Sequence, residues 1–181
     1  MKKSLIVAFV LITGLLKAQT GNDFPSIGGN TLDERTLMIP KDTKGKYTLI
    51  GMAYSKAAEQ ELQTWFQPVY STFLEKTKPG LFNQSYDVNL YFIPMFTGAN
   101  QAASGAATKK LKQGLDKSLQ PHVLVYKGDL KTYKDQLDFE KKDTPYFFIL
   151  DKEGIIVYTT SGKFTEEKMA KIEELIGGEG E

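Results

Sequence analysis

The order of apolar runs predicts an α/β fold: a mixed central sheet with helices on both faces. Three observations carry this expectation. Residues 47–53 (YTLIGMA) and 88–96 (VNLYFIPMF) are near-continuous apolar runs of strand length, the pattern of strands buried on both faces. The amphipathic stretch between them makes a β-α-β unit, whose right-handed crossover sets the two strands parallel. Residues 146–150 (YFFIL) and 155–160 (IIVYTT) flank the turn DKEG, which predicts an antiparallel hairpin. The expected order is β-α-β, α, β, β-hairpin, α in one domain.

Taken from the N-terminus, Lys2 and Lys3 precede an uncharged apolar run, Leu5 to Leu16, and the small Ala18 follows. That is the layout of a secretory signal removed after residue 18. The run is shorter than the roughly 20 residues that span a bilayer. An uncleaved anchor stays open, because Leu16 is large for its place before the cut. The signal directs the chain to the periplasm or the exterior and touches the membrane only transiently. Residues 19–43 are polar and turn-rich and read as an N-terminal extension, with a short strand at 35–39. The domain proper is expected at 44–177 and a disordered tail at 178–181.

Within the domain, Ala58, Leu62, Trp65, Val69 and Phe73 form one apolar helical stripe, which places Trp65 in the core. Pro68 is expected to kink that helix and Lys78-Pro79-Gly80 to end it. Pro94 belongs near the end of its strand, where no ladder bond is needed. A weakly apolar helix is expected from Ala102 to Leu119, a strand over 122–126 and a short helix over 130–137. Thr165 reads as the N-cap of the last helix, with Glu166 and Glu167 in its first turn, Phe164 and Met169 as a staple, and Met169, Ile172 and Ile176 facing inward.

Composition excludes several functions. At 41% hydrophobic and 25% charged, the 181 residues are ordinary for a globular domain. Loss of residues 1–18 removes three lysines and no acid, so 23 basic against 22 acidic residues becomes 20 against 22, about −2. Such a chain lacks the basic footprint of nucleic-acid binding. Lys109, Lys110, Lys112 and Lys117 read as the solvated face of a helix. With no cysteine there is no disulfide, zinc–thiolate site or thiol catalysis. His122 is the sole histidine, and no G-x-S-x-G elbow surrounds Ser55 or Ser104 to make it a hydrolase base. DKEG lacks the alternating acids of a calcium loop, and SGAATKK falls short of a phosphate-binding loop. No cofactor and no metal is expected.

The stretch 144–176 (TPYFFILDKEGIIVYTTSGKFTEEKMAKIEELI) resembles the C-terminal half of thioredoxin-like proteins, in the TlpA and peroxiredoxin-related branch. Its Thr-Pro, its strand ending in Asp, its Gly turn and its last helix carry the likeness. KGKYTLIGMA (44–53) is similar to the first core strand of that branch, and the resemblance extends over about residues 24–176. Ser55, Trp65 and Pro68, then Leu111, Leu115, His122, Tyr126 and Gly128, with the final hairpin, also resemble the thioredoxin-like family of mitochondrial ATP synthase assembly factors.

The resemblance implies a thioredoxin-like fold without its chemistry. The redox cysteines of the branch would fall at about Lys56 and Glu59, where no thiol exists. It also implies a cis peptide bond at Pro145, in a segment that presents backbone groups to peptide partners in relatives. The expected function is an exported, redox-inactive binding or assembly module with a protein partner. Its contact surface would combine Tyr54, Ser55 and Lys56 with Thr144 and Pro145, Tyr54 being displayed in the turn where no core demands it. A non-thiol enzyme or a cofactor-binding protein on the same scaffold stays open as the alternative. The mitochondrial family works on the matrix side and a secretory signal leads to the opposite side, so assembly help carries over and the client does not.

Overall fold

The computed structural model describes residues 19–75 and 86–178. The expected signal, the 78–80 terminator and residues 179–181 of the tail lie outside the described residues. The strands are β1 (Ile27–Thr31), β2 (Thr36–Ile39), β3 (Tyr47–Ala53), β4 (Val88–Thr97), β5 (Leu124–Gly128), β6 (Tyr146–Leu150) and β7 (Ile156–Ser161). They form one seven-stranded sheet in the order β2-β1-β5-β4-β3-β6-β7. The run 47–53 pairs in parallel with β4, as the β-α-β unit requires, and β6 pairs antiparallel with β7, as the hairpin requires; β3 also pairs antiparallel with β6.

Alternation along the strands divides the core. Ile50, Met52, Ile93 and Phe148 face one side with α4 (Lys131–Leu137). Leu49, Ala53, Leu90, Phe92 and Phe147 face the other with α1 (Lys56–Gln63), α2 (Phe66–Val69) and α5 (Glu166–Gly177). α3 (Ser104–Gly114) lies over this second side and buries none of its residues fully.

Several elements have legible local causes. In the β6–β7 turn the Asp151 carboxylate accepts from Glu153 and Ile155 N–H at 3.0 and 2.8 Å, and Gly154 takes φ 92°. That left-handed geometry favours glycine. Thr165 caps α5 by accepting from Lys168 N–H at 3.3 Å, and Met169, Ile172 and Ile176 are buried. Trp65 is fully buried and its indole N–H donates to the Gly162 carbonyl at 3.0 Å. Deleting such a ring costs roughly 3–5 kcal/mol.

Other elements differ from expectation. Residues 27–39 form a hairpin whose β1 pairs with β5, so the segment read as an extension widens the sheet. The helix breaks after Gln63, ahead of Pro68: proline has no N–H to offer the Thr64 carbonyl, and its ring crowds that same group. A π-helical turn, Tyr70–Leu74, follows α2. The helix expected over 102–119 is α-helical only to Gly114. His122 ends a short 3₁₀ turn ahead of β5.

Candidate functional site

The parallel strands β3 and β4 end where the first helix begins, the place where open α/β proteins hold their sites. Ser55 is the N-cap of α1, with extended φ and ψ, and its hydroxyl accepts from Ala58 N–H at 3.1 Å. It is buried and spent on the cap. Lys56 follows, exposed at the first helical position. Glu59, one turn on, is half-buried. Burial pushes its carboxyl above the usual carboxylate range, and the Lys56 ammonium partly offsets that.

Tyr54 is not displayed in the turn. It is 5% exposed and stacks on Phe139, with ring centroids 5.5 Å apart and planes 11° apart. Its hydroxyl donates to the Phe139 carbonyl at 3.3 Å. Phe139 stacks in turn on Tyr146 at 4.6 Å. The Lys134 ammonium lies 5.8 Å from the centre of the Tyr54 ring. Burial raises the Tyr54 phenol to about 12. The core that demands Tyr54 arrives from far along the chain. α4 ends at Asp138 in the left-handed conformation (φ 47°), the chain reverses, and Phe139 drops between the two tyrosines.

Thr144 and Pro145 do lie beside this point. The ladder pairs Met52 with Tyr146, so Tyr54 and Thr144 each stand two residues beyond the same end of it. Thr144 is half-buried and Pro145 is buried. Among the described residues the cis peptide bond is Ile39–Pro40, and the bond before Pro145 is not cis. The ordinary trans preference prevails there as the chain runs into β6. The Pro145 carbonyl accepts from Gly162 N–H at 2.9 Å, so this acceptor is engaged inside the domain. Of the five expected contact residues, Lys56 and part of Thr144 reach the surface.

What opens beside Lys56 is a cleft of about 490 Å³ between α1–α2 and α3. Phe66, Phe96, Leu111 and Leu115 give it apolar walls, and Lys56, Glu59 and Lys110 are charged groups along it. Sequence reading placed Leu111 and Leu115 on a weakly apolar helix face but had no sign that the face stays partly uncovered. Phe139 was also missed. Its one signal is a lone aromatic in the charged run DFEKKD. His122 lies at the other end of the strands, 3.1 Å through Nδ1 from the Leu90 carbonyl, and burial holds its imidazolium below the usual range.

A mixed sheet with this strand order, and a helix N-terminus seated at the carboxyl end of β3, define a protein of the thioredoxin-like class. The fold is similar to StoA from Bacillus subtilis (17% identity, TM-score 0.52, covering 81% of this chain and 95% of that one). It is similar to the exposed lipoprotein thioredoxin Etrx1 of Streptococcus pneumoniae (14%, 0.53, 82% and 97%). Yeast Sco1 shares it as well (15%, 0.51, 85% and 94%). Within that class the chain belongs to the ATP10 protein family, the thioredoxin-like ATP synthase assembly factors, which it matches over residues 9–178. No curated protein matches it in sequence.

Proposed function

We propose that this chain is an exported, redox-inactive assembly module that works by holding a protein partner at the carboxyl end of β3. The observation that carries the reading is the occupancy of the redox position. By the resemblance, the cysteines of thiol relatives fall at about Lys56 and Glu59, and the chain has no cysteine to do that chemistry. Family membership supports assembly help, and fold alone would not. The stacked Tyr54, Phe139 and Tyr146 act as a rigid floor beneath the exposed groups, so the surface is held in shape before a partner arrives. Export rests on the Lys2-Lys3, apolar-run and Ala18 pattern.

The test is capture of the tagged chain from its native cell envelope, beside a Lys56→Glu, Thr144→Lys variant. Lys56 is exposed and Thr144 half-buried, and a thermal melt followed by circular dichroism checks that the variant keeps its fold. One dominant protein partner, lost in the variant, is the expected result. Absence of a partner, or partners indifferent to the variant, would overturn the reading and point to a bound small molecule instead.

A further inference from the structure

The cleft between α1–α2 and α3 is underfilled by the side chains of the described residues. Leu111 and Leu115 are only half-buried, and no residue of α3 is fully buried. A void of about 20 Å³ continues the cleft inward beneath Leu111 and Leu115, against Leu62, Pro94 and Val123. An apolar helix face left open this way has binding capacity to spare.

The charged groups say what kind of occupant fits. Lys56 and Lys110 are exposed on the cleft, and among the described residues neither forms an ion pair. The one carboxylate of the lining, Glu59, is partly withdrawn from water. An incoming surface is therefore favoured if it carries acids. A second copy of this chain would bring a second pair of lysines against the first. An added strand has no place either, since β3 and β4 are each flanked by neighbours within the sheet. The remaining mode is a helix laid into a groove between helices.

We infer that this cleft receives an amphipathic helix of the partner protein, with an apolar face on Phe66, Leu111 and Leu115 and an acidic flank toward Lys56 and Lys110. The inference rests on the binding-module reading and names its site and its partner's chemistry. Apolar anchors supply the affinity, and the lysines fix the orientation of the bound helix.

The test uses three labelled amphipathic peptides of about five helical turns. One has an apolar face and an acidic flank, one the same face and a basic flank, and one is a scrambled acidic control. Binding to the protein lacking residues 1–18, and in parallel to the full chain, is read by fluorescence anisotropy. The acidic peptide should bind at least about tenfold more tightly than the other two, a difference of about 1.4 kcal/mol. Lys110→Glu, at an exposed position, should weaken the acidic peptide and strengthen the basic one. Leu111→Ser should weaken both. Equal binding of the scrambled control, indifference to Lys110→Glu, or a stronger response to anionic lipid vesicles than to any peptide would overturn the inference. A partner captured from cells yet indifferent to Lys110→Glu would remove the cleft and leave the binding module standing. No partner and no peptide binding would remove both.

Discussion

At Tyr54 the polar tip and the apolar ring have separate tasks, and a substitution series separates them. Tyr54→Phe removes only the long 3.3 Å hydrogen bond to the Phe139 carbonyl, and should cost about 0.5–1 kcal/mol in urea unfolding. Tyr54→Ala also removes the stack on Phe139 and should cost roughly 3–5 kcal/mol. The phenol also sets a pH dependence. Its folded value is raised from 10.0 to about 12 by burial, so its stabilising contribution is complete below pH 10 and is lost as pH rises through about 12. Unfolding free energies measured between pH 9 and 12 should therefore fall with pH, and fall less steeply in Tyr54→Phe; parallel slopes would contradict this. None of it was legible at residue 54. The turn position was right, but the partner ring at Phe139 lies 85 residues away, on a loop with no apolar period of its own.

Elements with local causes were legible and those with distant partners were not. The β6–β7 hairpin, the cap at Thr165 and the stripe through Leu62 and Trp65 each follow from residues within a few positions of one another. β1, with the sequence IGGNT, has two glycines and no alternation to mark it, and exists because β5 and β2 pair with it. Pro68 was legible as a breaker, yet its effect falls at Thr64, whose hydroxyl donates to the Glu61 carbonyl at 2.7 Å and accepts from Phe164 N–H at 3.0 Å. The fit of α1 on the sheet depends on Gly51. A Cβ there would lie 2.7 Å from Phe147 Cε1 and 2.9 Å from Leu62 Cδ1. Gly51→Ala should thus push α1 from β3 and destabilise by about 1–3 kcal/mol, read as a lowered denaturant midpoint. An unchanged midpoint would mean that α1 is less tightly seated than the distances imply.

For the whole molecule, the fold and the function separate. The parallel pair β3–β4, the β6–β7 hairpin and the helix N-terminus at the end of β3 belong to the thioredoxin-like fold and were legible because apolar runs dictate them, whereas the places of β1 and β2 in the sheet were not. The expected contact residues were legible as neighbours at one end of β3 and β6, and only Lys56 and part of Thr144 among them as surface. Ser55 and Pro145 lie where expected but turn their polar groups inward, to Ala58 and Gly162. The open cleft arises because α3 packs loosely, a property of the assembled domain rather than of any segment. The most direct test places a photoreactive residue at Lys56, at Lys110, or at Glu153 in the β6–β7 turn, and irradiates living cells. Glu153 is exposed at the opposite end of the sheet, so it serves as the control. The account predicts one dominant protein adduct from positions 56 and 110 and none from 153. Adducts from 153 alone, or equally from all three, would contradict a docking face at the carboxyl end of β3.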